Sequence, residues 1–244
     1  ANRKYMLFPN DNAVTSSIID GWTYEYYMFW FINDNMLDLR GTDILDVGAN
    51  NGHFTVEFAQ FVENEGRVFA FEPQRIIFQQ LCANVFLNGL DNVHAYNVAV
   101  GHQHGITRIE KPDYFNDGHV NFGDVHIVNE TVEAEDVQLI RLDDMEYKNV
   151  SLIKIDVQGF EPYVIDGAVE TIKKHRPYIF IEMEPEQLGL YGFSEEGLID
   201  KITNLNYVVK RFQEGVPFVS SSGECLDCVC IPVEKLEQRN HIVR

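Results

Sequence analysis

The chain has 244 residues, 45% of them hydrophobic and 12% aromatic, enough for a large packed core, which excludes global disorder. It carries 19 Lys and Arg against 38 Asp and Glu, a formal charge of −19 that opposes binding to nucleic acid or anionic membranes. The length suits one domain, or one domain with embellishments.

In chain order, residues 22–39 bring aromatic and aliphatic side chains at helical spacing and stop before Arg40-Gly41. Residues 43–47 form a short apolar run with a glycine turn behind it. Helical spacing resumes over 53–62, and 67–71 is a second apolar strand. Residues 76–87 read as a helix closed by Asn88-Gly89, and 93–100 as a third strand. Residues 102–145 are polar and rich in Asn, Asp and Gly, which predicts antiparallel hairpins or an excursion over the sheet. Alternation returns with a strand at 152–157, a helix at 162–175, a strand at 178–183 and a helix near 194–205. Two strands, 207–212 and 228–232, close the chain around a polar loop. Strands alternating with helices predict a mainly parallel sheet covered on both faces, its closing pair antiparallel.

The densest basic stretch, Lys173-Lys174-His175-Arg176, sits at a predicted helix end, where it complements the helix dipole. No apolar run approaches the roughly 20 residues of a bilayer span. The first residues show no secretory pattern, and four cysteines are too few for a disulfide framework. The expected setting is therefore cytoplasmic and reducing, with neither nucleic acid nor membrane as partner. A homo-oligomer stays open, because some of the aromatics between Trp22 and Phe31 could form a dimer face rather than core.

The most informative segment runs Ile44-Leu45-Asp46-Val47-Gly48-Ala49-Asn50-Asn51-Gly52-His53. A buried strand enters a tight turn with glycines at 48 and 52 and an acid at 46, then a helix. Glycines there let backbone approach a ligand, and the helix start offers free N–H groups. The second strand ends in Phe71-Glu72-Pro73, where an acid can accept hydrogen bonds from both hydroxyls of a ribose. Asn97 and Ala99, at the end of the third strand, fall beside the place of an adenine ring.

A dinucleotide fingerprint wants G-x-G-x-x-G, but Asn50 stands where its second glycine belongs. No P-loop exists either. S-adenosylmethionine carries no phosphate, and its ammonium gains from a nearby carboxylate such as Asp46. The plain alternative is a strand–turn–helix whose glycines only make the turn.

A second motif reads Leu152-Ile153-Lys154-Ile155-Asp156-Val157-Gln158-Gly159-Phe160-Glu161, followed by Asp166-Gly167-Ala168 and Pro177-Tyr178-Ile179-Phe180-Ile181-Glu182. With the glycine turn, Phe71-Glu72-Pro73, Tyr24-Glu25 and Leu142-Asp143-Asp144, the chain resembles the FkbM family of S-adenosylmethionine-dependent methyltransferases over about residues 24–232. The resemblance implies a class I methyltransferase (Rossmann-like) α/β fold: a mostly parallel seven-stranded sheet with helices on both faces and its last strand antiparallel. A β-rich insertion follows the third strand. It also implies S-adenosylmethionine as cofactor and, usually, O-methylation of a hydroxyl. Carried over are Asp46, Gly48 and Asn50 for the cofactor, Glu72 for its ribose and Asp156 at the junction of cofactor and acceptor. Ala49, Gly52 and Pro73 belong to the same two segments. The family usually has Glu where this chain has Gln158. On this reading 1–40 is an N-terminal helical cap and 41–244 the methyltransferase domain, with 102–145 on the acceptor side.

An alcohol is a poor nucleophile, so a base should take its proton as the C–O bond forms. Candidates are Asp156 first, then Glu161, His119 and Glu182; Asp156 could instead only orient the cofactor, and Glu161 only favour its helix dipole. Lys154, on a core strand, is costly to bury unpaired and should meet a crevice carboxylate. No metal is expected. Cys225, Cys228 and Cys230 leave a tetrahedral zinc site one ligand short, and Glu182 with Glu184 is only a weak paired-acid site. The expected acceptor is a sugar or other small molecule. N-methylation, a non-catalytic cofactor-binding protein and a nicotinamide oxidoreductase are the alternatives, the last disfavoured by Asn50 and by the lack of a helical Tyr-x-x-x-Lys pair.

Overall fold

Every position of Asp43–Val47 (β1) is buried, as a strand covered on both faces requires. The structure, a computed structural model, describes residues 3–9, 11, 14–19, 26–35, 37–115, 121–128, 133–211 and 227–240. Two helices come first, α1 (Val14–Ile19) and α2 (Tyr26–Asp34). After β1 follow α3 (His53–Phe61), β2 (Arg67–Phe71), α4 (Arg75–Leu87) and β3 (Val93–Tyr96). Strands β4 (Ala99–Val100), β5 (Gly105–Glu110) and β6 (Ala134–Ile140) form a second, three-stranded sheet in the order β4-β6-β5. The main sheet resumes with β7 (Val150–Ile155), followed by α5 (Glu161–Asp166), α6 (Val169–His175) and β8 (Tyr178–Glu182). Then come α7 (Pro185–Leu190), α8 (Glu195–Thr203), β9 (Tyr207–Arg211), β10 (Asp227–Pro232) and α9 (Val233–Asn240).

The main sheet has seven strands in the order β3-β2-β1-β7-β8-β10-β9. Strands β3, β2, β1, β7 and β8 pair in parallel; β10 runs antiparallel to both neighbours. This is the class I methyltransferase sheet, with its insertion after β3. The strand order reverses between β1 and β7, which opens a crevice beyond their carboxyl ends.

Side-chain alternation sends successive strand residues to two cores. Leu45, Val47, Ile153 and Ile155 join the layer beneath α5, α6 and α8, while Ile44 and Leu152 join the layer of α2 and α3. Each fully buried aliphatic of this kind contributes about 1.5–3 kcal/mol. Asp46 and Lys154 are register partners and share the α3 side, so a buried acid and a buried base are placed together by alternation alone.

Four segments depart from the sequence reading. The described part of the first aromatic helix ends at Asp34 rather than 39: the side chains of Asn33 and Asn35 bond back to the carbonyls of Phe29 and Phe31. The third strand breaks at Asn97, whose Nδ2 donates to the carbonyls of Glu72 and Pro73, and the chain re-forms as β4 in the other sheet. The helix expected over 162–175 is two helices. Gly167 sits at the break, packed so tightly that a Cβ there would stand 1.9 Å from the Gly101 carbonyl oxygen. Helix α7 adds an element between the strand at 178–183 and the helix near 194–205; Pro185 in its first turn is compatible with a helix start.

Candidate active site

The glycine turn is shaped by what lies across the crevice. Gly48 has φ +79°, and a Cβ on it would stand 1.8 Å from the carbonyl oxygen of Asp156. The N–H groups of Gly48 and Ala49 both donate to the carbonyl of Phe71, at 3.0 Å each, locking the turn to the end of β2. Asn50 follows with φ 49°, and its N–H donates to Glu72 Oε2 at 2.8 Å. Gly52, φ 83°, lies against Leu81 of α4.

Glu72 is almost wholly buried and held by both oxygens: Asn50 N–H bonds Oε2, and Gln74 N–H bonds Oε1 at 2.8 Å. Burial pushes its carboxyl up to about 7, against the pull of those two N–H groups. Gln74 is itself pinned, its Nε2 on the Phe122 carbonyl at 2.8 Å and its Oε1 accepting from the Tyr114 hydroxyl at 2.9 Å.

Across the crevice, Asp156 follows β7. Lys154 Nζ lies 3.0 Å from its Oδ2, and Gln158 Nε2 donates to its Oδ1 at 3.0 Å and to Glu182 Oε2 at 3.4 Å. Lys154 also stands 5.0 Å from the centre of the Phe54 ring. Gln158 takes φ 55° and Gly159 φ 92°, and a Cβ on Gly159 would stand 2.2 Å from the Gln187 carbonyl oxygen. Glu161 closes this loop from below, its Oε1 accepting from the N–H groups of Val157 and Gly159.

Of the residues singled out from sequence, Gly48, Asn50, Glu72, Pro73, Ala99 and Asp156 line one cleft. Glu182 and Gln158 line it as well, whereas Asp46, Ala49, Gly52, Asn97 and Glu161 do not. Asp46 is fully buried beneath the turn: Oδ2 accepts from the Thr55 hydroxyl at 2.5 Å, Oδ1 has no hydrogen-bond partner, and burial raises its pKa. The expectation that it faces the crevice is corrected by the strand alternation that turns it toward α3. Ala49 and Gly52 shape the turn from behind. Asn97 braces the Glu72-Pro73 backbone rather than standing beside an adenine. Glu161 is 2% exposed and turned into its own loop. His119 lies outside the described residues, as do Tyr24, Glu25 and Cys225. Among the described residues no cluster of His, Cys, Asp and Glu is arranged to hold a metal, and no helix is long and apolar enough to cross a membrane. Lys154 meets the carboxylate that the sequence demanded for it.

Asn121, from the insertion expected on the acceptor side, lines the cleft, which also takes in residues not singled out from sequence, Gln74, Gly123, Val125 and Phe160 among them. Gln74 had a signal, an amide two residues after the ribose-type acid at a helix start. The others are brought in by the insertion and by the turn after β7.

The model of the methyltransferase FkbM domain matches residues 46–209, more than half of the chain. The chain belongs to this family. The matched stretch runs from the acid of the glycine turn into β9. A curated relative, the 2-O-methyltransferase NoeI of Sinorhizobium fredii (strain NBRC 101917 / NGR234), is 27% identical over 199 residues, covering 75% of this chain and 79% of the relative. Among solved structures, an FkbM methyltransferase from Methylobacillus flagellatus KT superposes with TM-score 0.52 at 16% identity over 80% of this chain. This chain spans only 45% of that protein's length. A SAM-dependent O-methyltransferase from Thermotoga maritima gives TM-score 0.54 at 16% identity, covering 91% of this chain and 71% of that one. Both likenesses concern the fold.

The residues of this FkbM domain fit the family's cofactor, S-adenosylmethionine. The cleft is lined by three carboxylates, Glu72, Asp156 and Glu182, and by the close backbone of Gly48. Those acceptor oxygens suit ribose hydroxyls and an ammonium, their charge suits a sulfonium, and together they oppose a pyrophosphate.

Proposed function

We propose that this methyltransferase transfers a methyl group from S-adenosylmethionine to a hydroxyl oxygen of a sugar or another small neutral molecule. The observation that carries the reading is the pairing, in one cleft, of the anchored Glu72 carboxylate with the Asp156 carboxylate braced by Lys154 and Gln158. The likeness to a 2-O-methyltransferase supports oxygen as the acceptor atom.

Bound there, S-adenosylmethionine supplies a methyl group on a positively charged sulfur. Glu72 accepts hydrogen bonds from the ribose hydroxyls, Gly48 and Asn50 offer close backbone, and Ala99 and Pro73 contribute wall. Asp156 takes the acceptor's proton as the new bond to oxygen forms, a general-base contribution of about 10²–10⁴ in rate. The fixed loop of Val157 to Phe160 holds that base in place; orientation of this kind contributes roughly 7–11 kcal/mol. Residues 102–145 form the acceptor side and 1–40 a cap over the domain 41–244. The net charge of −19 disfavours polyanionic acceptors.

The test is formation of S-adenosylhomocysteine across a panel of sugars, phenols and amines. Turnover on hydroxyl compounds, cut at least about 100-fold in Asp156→Asn, is the expected result. Product from amines alone would move the reaction to nitrogen. An unchanged affinity for S-adenosylhomocysteine in Glu72→Ala would remove the ribose assignment.

A further inference from the structure

Residues 3–8 lie across α4 in a ladder of side-chain-to-backbone hydrogen bonds. Asn88 accepts from Lys4 N–H at 3.0 Å and donates to the Lys4 carbonyl at 2.8 Å. Asn84 Oδ1 accepts from Met6 N–H at 2.6 Å, and Gln80 Nε2 donates to the Met6 carbonyl at 2.8 Å. Arg3 pairs with Glu57 of α3 at 2.7 Å. Three carboxamides along one side of α4, at positions 80 and 84 and at its C-cap, Asn88, thus replace the strand partner that an extended segment otherwise lacks.

Two connections run from this strap into the cofactor-side loops. Asn84 Nδ2, fully buried, also donates to the Asn51 carbonyl in the glycine turn at 2.8 Å. Phe8 packs edge-on against Phe122, 5.5 Å between ring centres, and at a tilt of 30° against Tyr114, 6.2 Å away. Tyr114 and Phe122 supply both hydrogen bonds of the Gln74 side chain, and the Gln74 backbone holds Glu72 Oε1. None of Phe8, Tyr114 and Phe122 lines the cleft.

We propose that Phe8 is a positioning residue of the cofactor site, and that docking of the strap of residues 3–8 on α4 sets Gln74, hence the orientation of Glu72. The inference rests on the reading of Glu72 as the ribose acceptor. If the docked strap favours the binding geometry, linkage requires the reverse: ligand must favour the docked strap by the same factor.

The experiment pairs calorimetric titration of S-adenosylhomocysteine with amide hydrogen exchange at Lys4 and Met6, on the full chain and on Phe8→Ala. Expected are an affinity lower by about tenfold in Phe8→Ala, recovery in Phe8→Tyr, and slower exchange of the Met6 amide when ligand is added to the unmutated protein. A merely structural Phe8 would lower the melting temperature without making strap exchange depend on ligand. Equal affinity in Phe8→Ala, or ligand-independent exchange at Met6, overturns the inference while leaving the ribose assignment standing. Should Phe8→Ala fail to fold, the exchange measurement on the unmutated protein decides alone. Absence of any binding by the unmutated protein overturns the cofactor reading and this inference with it.

Discussion

Lys154 reaches two residues along the chain to Asp156, Nζ to Oδ2 3.0 Å, while its strand register sets it beside the wholly buried Asp46. One ammonium therefore offsets two acids of different kinds, one in the core and one in the cleft. Its charge opposes the burial that raises the Asp46 pKa. The cation connects the floor of the glycine turn to the proposed base.

Replacing Lys154 by Met keeps much of the volume and removes the charge. The Asp46 carboxyl should then be pushed further up by its burial, and Asp156 lose one of its two braces. A loss of roughly 2 kcal/mol of stability is expected, less than for a fully enclosed pair because Asp156 faces the cleft. Turnover should fall more steeply than affinity for S-adenosylhomocysteine. Chemical denaturation and steady-state kinetics check both, and an unchanged turnover would refute the bracing role.

Gln158 donates one NH₂ group to two carboxylates, Asp156 and Glu182. In Gln158→Glu a third carboxylate would occupy that place, and the three could not all remain ionised at such separations. The melting temperature is expected to fall by about 5 °C, and millimolar Mg²⁺ or Ca²⁺ to restore it in the variant while leaving the unmutated protein unaffected. Thermal melts with and without the cation decide; a variant as stable as the parent without cation would show that the amide bridge carries nothing.

Gly48 is constrained both by φ +79° and by the Asp156 carbonyl, 1.8 Å from where a Cβ would sit. Gly48→Ala must push the β1 turn and the β7 turn apart. A destabilisation of at least about 2 kcal/mol and loss of S-adenosylhomocysteine binding are expected, measurable by denaturation and titration. Retained affinity would mean that the crevice does not depend on this close approach.

Glu161, 2% exposed, has its carboxyl pushed up to about 7 by burial. The native state therefore keeps a proton that the unfolded chain releases near the ordinary carboxyl value of 4.5. Its contribution to stability is fully present below about 4.5 and falls as pH rises toward about 7. Gln at this position still offers an oxygen to the N–H groups of Val157 and Gly159. Glu161→Gln should match the parent at pH 4 and exceed it at pH 8, by roughly 3 kcal/mol at most. Denaturation across that range tests the sign: a variant weaker than the parent at pH 8 would contradict it.

Much of this was legible in the residues themselves. The runs 43–47 and 67–71 are short and apolar, bounded by turn residues, and the structure reproduces both as strands with the same limits. Glu72 follows its strand directly, so its place at a carboxyl end needed no tertiary knowledge. Asn97 shows the opposite case: its residue type is compatible with the end of a longer strand, and only the nearby carbonyls of Glu72 and Pro73 break that strand. Gly167 likewise splits a continuous helical pattern because Gly101 lies against it.

Local pattern, acting through the two periodicities of the backbone and the turn chemistry of glycine, settled the alternation of elements and the parallel sheet, while the order of the motifs carried the resemblance to the family. It also placed the acid at 72 and the acid at 156 at strand ends. Which of the chosen side chains face the cleft was settled by packing. Asp46 turns inward because of the face its strand presents to α3; Glu161 is taken up by two N–H groups of its own loop; Gln74 enters because Tyr114 and Phe122 hold it. Those outcomes depend on neighbours distant in the chain, and no spacing of residues along it encodes which carboxylate will find its partners first.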